Sequence, residues 1–281
     1  MGDLNPIGLY VDKMLDDIAS KQAEKSDYKG EDGLLYCGKC HTPKQGIVDW
    51  YDGSKKVVPL ACECYKESVK KEKERREREE LIKESNIEPK LLKVTFETIK
   101  IDENNQRAVK LSRRYAEKFD KLYEENQGLL LYGGVGTGKT VLAHCIANEL
   151  LYNLYSVASI SMAKILKSGF KTPEEEADIM NTVKRVELLI IDDLGAERGT
   201  EYAQEFVFGV IDTRINYTKP MIITTNLTLN DMQNCYDTKF KRIYDRILEC
   251  CYPIELSGPS RRMRNAAERY DKVSEILGGS D

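Results

Sequence analysis

Apolar positions fall into three regimes along the chain. Between residues 1 and 25, Leu4, Ile7, Val11, Leu15 and Ile18 recur near helical spacing, which predicts a short amphipathic helix with one buried stripe. That stripe serves equally well as a partner-binding face or as the cap of a small domain. Over 66–84 the segment KESVKKEKERREREELIKE mixes both charge signs at i, i+4 spacing, with Val69, Leu81 and Ile82 almost its only apolar residues. A coiled coil needs a sustained apolar seam, so this stretch predicts a solvated helical linker. Beyond Asn86, short apolar runs alternate with amphipathic stretches, the pattern of parallel strands joined by helices. Strands are expected at 129–132, 155–160, 187–192, 221–225 and 252–256, with helices over 141–152 and 201–216. This order predicts a doubly wound α/β domain over 86–281, a linker over 66–85 and a small N-terminal domain over 1–65.

Composition narrows the class. With 281 residues, 41% of them hydrophobic, the chain can bury a sizeable core. No apolar run approaches the roughly 18 to 20 residues that span a bilayer, so no membrane partner is expected. The start, MGDLNPIGLYVDKMLDD, lacks a basic segment followed by an apolar one, which makes the cytoplasm the expected compartment and disulfides unexpected. Lys and Arg number 43 against 47 Asp and Glu, a net charge of −4 that argues against coating duplex DNA by bulk charge. Nucleic-acid contact then requires a local basic patch.

The cysteines are uneven. Cys37 and Cys40 form a CxxC, and Cys62 and Cys64 a CxC some twenty residues on, so four thiolates can surround one tetrahedral Zn²⁺. A segment this short and this poor in large apolar residues needs such a staple, and four thiolates leave no open position for catalysis. Buried free thiols or a redox CxxC are the alternatives, and His41 is the substitute ligand. Cys145, Cys235, Cys250 and Cys251 are scattered and expected only to pack.

The strongest chemical signal is LLLYGGVGTGKTVLAHCIANEL, a GxxxxGKT sequence between an apolar strand and an amphipathic helix. Gly133, Gly134, Val135, Gly136, Thr137 and Gly138 would fold back so that successive N–H groups face phosphate oxygens, aided by the following helix N-terminus. Lys139 would reach the β- and γ-phosphates of ATP, and Thr140 would coordinate Mg²⁺. VELLIIDDLGAE supplies an acidic strand end, where Asp192 would hold Mg²⁺ through water and Asp193 would orient or deprotonate the attacking water. MIITTNLT places Asn226 at a strand tip, where it bridges the acidic pair and the γ-phosphate or simply opens a turn.

GGVGTGKT, IIDDLG, IITTNL, then DR followed by GPSRR resembles, in that order, the AAA+ ATPases of the DnaC/DnaI helicase-loader and IstB transposition-helper group, over residues 85–265. CGKCHTP, the later CEC and SNIEPKLLKVTFE look like the DnaI-type and prophage loaders, which favours loading over transposition. The resemblance implies an AAA+ P-loop fold behind a zinc-stabilised N-terminal domain that grips a DnaB-type replicative helicase. It also implies slow ATPase activity, self-association through the ATPase domain and contact with single-stranded DNA. Asn226 becomes a sensor-1 residue, Arg246 the trans-acting arginine finger with Arg242 its competitor, and Arg262 the sensor-2 contact, with Arg261 adjacent. The segment 161–183 would contact DNA through Lys164, Lys167 and Lys171, although Glu174, Glu175, Glu176 and Asp178 follow at once. Two other readings remain: an IstB-like ATPase helper of a transposase acting on duplex DNA, and an adaptor that binds nucleotide but barely turns it over, because Asp193 occupies a position where Glu is frequent.

Overall fold

The computed structural model describes residues 25–50, 52–162, 172–195 and 201–278. The N-terminal stripe from Leu4 to Ile18 and the candidate DNA-contacting Lys164, Lys167 and Lys171 lie outside the described residues. The chain divides into two compact units, Met1–Arg76 and Glu77–Asp281.

The first unit holds two small antiparallel ribbons. Strand β1 (Tyr28–Lys29) pairs with β2 (Leu35–Tyr36), and β3 (Gln45–Asp49) pairs with β4 (Lys55–Pro59), with Ile47 opposite Val57. The charged segment forms helix α1 (Glu63–Glu84), in which no residue is buried. Its charges pair along its own surface, as in Lys71–Glu67 at 2.7 Å and Arg76–Glu72 at 2.8 Å, contacts that water and salt screen on so exposed a helix.

The second unit is built on a five-stranded sheet of order β6-β7-β8-β5-β9, parallel throughout. Its strands are β5 (Gly128–Tyr132), β6 (Val157–Ser161), β7 (Leu188–Leu194), β8 (Met221–Thr225) and β9 (Cys251–Glu255). The helices around it are α2 (Gln106–Glu117), α3 (Phe119–Glu124), α4 (Lys139–Tyr152), α5 (Pro173–Arg185), α6 (Glu201–Asn216), α7 (Leu229–Gln233), α8 (Thr238–Cys250) and α9 (Arg261–Ile276). Both faces of the sheet are covered, and the two-residue period of a strand sorts its side chains between them. Leu129, Leu131, Ile190 and Ile222 join Val109, Ile146 and Leu150 on one side. Leu130, Leu189, Ile191 and Ile223 join Val207, Ile211, Ile243 and Ile247 on the other.

Strand ends differ from expectation for local reasons. Strand β6 begins at Val157, because the Tyr155 ring packs edge-on against Phe119 at 5.1 Å instead of continuing the ladder. Strand β7 runs on to Leu194 through a register shift between Ile191 and Leu194, where Asp193 adopts φ 62°. Edge strand β9 tolerates Pro253, which central strands do not. The opposite edge, β6, is covered by the residues just after α1: the Ser159 N–H donates to the Ser85 carbonyl at 2.9 Å, and the Asn86 side-chain amide donates to the Ser159 carbonyl at 3.3 Å.

Candidate functional site

Parallel strands all present their carboxyl ends on one side, which is where open α/β sheets bind ligands. Here β5 delivers residues 133–138, β7 delivers Asp192 and Asp193, β8 delivers Asn226, and β9 leads to the start of α9. They surround a cleft of about 740 Å³ whose lining includes the phosphate loop, Asp192, Asp193, Asn226, Arg261 and Arg262. Leu91, Val94, Ile99, Val109 and Leu256 form an apolar end suited to a flat aromatic base.

The loop has the backbone its sequence requires. Gly136 sits at φ 78°, and a Cβ there would lie 2.2 Å from Ser260 Oγ, so both its conformation and its close neighbour exclude a side chain. The Gly136 carbonyl accepts from the Arg261 N–H at 2.9 Å, tying the loop to the first turn of α9.

Lys139 is 6% exposed, and its ammonium donates to the carbonyls of Gly133 (2.9 Å) and Gly134 (2.7 Å) and to Asn226 Oδ1 (2.8 Å). Asn226 then donates through Nδ2 to Asp193 Oδ1 at 3.2 Å, so its amide bridges the lysine and the second acid. Burial pulls the Lys139 ammonium below the usual lysine range; Asp193 and Asp192 act against that shift and the Arg262 charge adds to it. Additional negative charge at this point, such as a phosphate, would relieve the deficit.

Thr140 and Asp192 are in contact: the hydroxyl donates to Oδ1 at 2.8 Å, and the Thr224 hydroxyl donates to the same oxygen at 2.7 Å. The Asp193 N–H donates to Thr224 Oγ1 at 2.9 Å, so one threonine orients both acids. A hydroxyl beside a carboxylate, with the other carboxylate oxygen left over, is a donor set that suits the hard, oxygen-seeking Mg²⁺. The residues present therefore fit a Mg-bound nucleotide.

The arginines separate. Arg262 is exposed and lines the cleft, while Arg261 is held 2.6 Å from Asp102. Arg246 lies outside the cleft, paired with Asp212 of α6 and placed 5.4 Å above the Phe208 ring. Arg242, one turn earlier on α8, is exposed and is also outside the cleft lining.

Three supporting residues were not expected from the sequence. Thr224 was visible only as part of ITTN. Buried His144 links Thr140 to the edge strand: Nδ1 lies 2.7 Å from the Thr140 carbonyl and Nε2 lies 3.1 Å from Ser159 Oγ. Asn148 donates to the carbonyls of Leu91 (2.8 Å) and Val94 (2.7 Å), fixing the apolar end of the cleft on α4.

In the first unit, the ligand sulfurs of Cys37, Cys40, Cys62 and Cys64 all lie within 4.8 Å of one another. Cys37 and Cys62 are each 3.4 to 3.5 Å from Cys64, close to the roughly 3.8 Å edge of a tetrahedron with Zn–S near 2.3 Å. The Lys39 N–H donates to Cys37 Sγ at 3.4 Å, and a Cβ on Gly38 would strike the Ser26 carbonyl at 2.0 Å, so the knuckle turn requires glycine. Hydrogen bonding by Thr42 draws the Cys40 thiol down to about 5, while sharing with Cys62 and Cys37 pushes Cys64 up to about 12. Four sulfurs that cannot ionise together unaided fit a divalent, thiolate-binding cation. His41 is turned to Tyr28, with Nδ1 3.2 Å from the hydroxyl, and is not part of the cluster.

A family profile described as IstB-like ATP binding protein matches residues 64–269. The chain belongs to that family. The replicative helicase loader DnaI of Bacillus subtilis (strain 168) is 28% identical over 216 residues, covering 71% of this chain and 68% of DnaI. The replicative helicase loader DnaC of Escherichia coli (strain K12) is 29% identical over 168 residues, covering 58% of this chain and 66% of DnaC. A crystal structure of DnaI superposes with TM-score 0.53 at 23% identity, over 61% of this chain and 95% of that one. A crystal structure of the DnaC helicase loader gives 0.51 at 22%, over 60% and 100%. The second unit thus has the AAA+ P-loop fold, in a family of ATP-binding proteins. Among the described residues no helix is long and apolar enough to cross a membrane.

Proposed function

We propose that this chain is an ATP-dependent loader that delivers a DnaB-type replicative helicase onto single-stranded DNA in the cytoplasm, with ATP as the conformational switch. The observation that carries the nucleotide chemistry is the run of hydrogen bonds from Lys139 through Asn226 to Asp193. It joins the phosphate-binding cation, the sensor and the acid, so that a change at the terminal phosphate is felt by all three. The direction of the function, loading, takes its support from the relatives named as loaders.

In this reading the loop N–H groups and Lys139 bind the phosphates, and Thr140 and Asp192 hold Mg²⁺, which supplies positive charge at the transferring group. Asp193 accepts the proton of the attacking water, Asn226 orients it, and Arg262 contacts the bound nucleotide. Arg246, already outside its own cleft, reaches the γ-phosphate of a neighbouring subunit after leaving Asp212. Hydrolysis is slow alone and stimulated by partners. The zinc-bearing residues 1–65 grip the helicase, 66–85 link, and 86–281 bind nucleotide and DNA.

A second reading is an IstB-like ATPase helper of a transposase on duplex DNA, which has only the IstB-like name of the family behind it. The four-thiol cluster ahead of the ATPase unit weighs toward loading. Pull-down of the full chain with the host's replicative helicase decides: retention of the helicase supports the loader, and retention of a transposase instead reverses it. ATPase turnover of Arg246→Ala tests the switch, because full activity in a strictly monomeric variant would remove the trans-acting role.

A further inference from the structure

The corner where α9 begins is tied down by a carboxylate that none of the steps above uses. Asp102 belongs to the 98–105 loop, of which Thr98, Ile99, Lys100 and Asn105 line the cleft. Asp102 Oδ1 accepts from the N–H groups of Asn104 (3.1 Å) and Asn105 (3.2 Å), and the Asp102 N–H donates to Asn105 Oδ1 at 2.8 Å. Its other oxygen lies 2.6 Å from Arg261 Nη2 and 3.4 Å from Arg264 Nη1. Arg261 also donates to the Lys100 carbonyl at 3.0 Å. The first turn of α9 is therefore joined to the phosphate loop by its backbone and to the base-side loop by two guanidinium groups.

Helical geometry gives this clamp a consequence. Residues 261 and 264 share a face, and 262 is rotated by about 100° from 261. Arg262 lines the cleft and carries no ion pair among the described residues. Arg261 and Arg264, which line the same cleft, share the single carboxylate of Asp102, so Arg262 is the cation of this turn that is not drawn toward that carboxylate.

We propose that Asp102 is a positioning residue for the triphosphate: by holding Arg261 and Arg264 on one side of α9, it aims Arg262 at the terminal phosphate. The inference rests on the nucleotide-binding reading above. Loss of the carboxylate removes the negative charge that both guanidinium groups share, releases Arg264 and leaves Arg261 only its hydrogen bond to the Lys100 carbonyl.

The test is calorimetric affinity for Mg-ATP and Mg-ADP on the full chain, for the wild type, Asp102→Asn, Arg262→Ala and the double variant. Asp102→Asn is expected to weaken ATP about tenfold while changing ADP less than about twofold, the scale of one charge-assisted contact. In the Arg262→Ala background it is expected to add nothing further for ATP. Arg261→Met, which removes the other end of the clamp, is expected to give the same loss of selectivity and covers the case in which Asp102→Asn fails to fold. Equal losses for ATP and ADP, or additive losses in the double variant, would overturn the positioning role. A folded wild type with no affinity for either nucleotide would instead overturn the nucleotide reading itself.

Discussion

Replacing Arg214 by methionine is expected to cost about 3–5 kcal/mol of folding stability. The residue is 0% exposed, and its guanidinium donates to the carbonyls of Val183 (2.9 Å), Val186 (2.8 Å), Glu187 (3.0 Å) and Pro220. Those carbonyls lie in α5, at the approach to β7 and in the turn before β8, so one side chain ties the end of α5 to the entry of the paired strands β7 and β8. Hydrogen bonds to a charged donor contribute roughly 1.5–3 kcal/mol each, and the four together outweigh the several kcal/mol lost by taking the cation out of water. Burial lowers the guanidinium pKa to about 10, so the group stays charged through neutral pH and the loss should be equal at pH 6 and pH 8. The assay is urea unfolding followed by far-UV circular dichroism. With m near 2 kcal/mol/M, the midpoint should fall by about 1.5–2.5 M. Arg214→Lys should recover little, because a single ammonium cannot reach four diverging carbonyls. A shift below about 0.5 M with unchanged m would refute the reasoning.

Elemental analysis is expected to find one zinc per chain, lost in Cys62→Ser and kept in Cys250→Ser. Metal-free protein whose amides over 25–62 remain protected from hydrogen exchange would count against the zinc site. Burial lowers the His144 pKa, so between that value and the ordinary one near 6.5 the unfolded chain binds more protons. Stability should therefore be full above about pH 6.5 and fall on acidification, and Asn at position 144 should flatten that fall in Tm scans from pH 7.5 to 5.5; an unchanged slope would remove His144 as its source.

What could be read from the chain was what depends on neighbours in sequence. The apolar runs at 129–132 and 221–225 named their strands because burial on both faces leaves nothing else for them to be. GVGTGKT carries its own loop geometry in its glycines. The charged helix was legible because its stabilising pairs are three and four residues apart. Contacts across long separations were not: Asp102 meets Arg261 159 residues later, and Arg214 finds carbonyls up to 31 residues away. In one dimension Arg214 is one more basic residue near a helix end, and nothing local marks it as wholly buried. The bulge at Asp193 was hidden for a related reason, since a positive φ at an aspartate is set by the Thr224 hydroxyl on the adjacent strand.

The pairing of Ser85 and Asn86 with β6 bears on how the ATPase portion is best produced alone. A recombinant fragment starting at 86, where the composition changes, would strip the Ser85 carbonyl from the Ser159 N–H and leave that amide bare on an apolar edge strand. An opened edge is a template for the next molecule, and the fragment would come out of the column as soluble aggregate. Starting at Glu77, where the second compact unit begins, carries that protective selvedge along and should yield a monodisperse preparation.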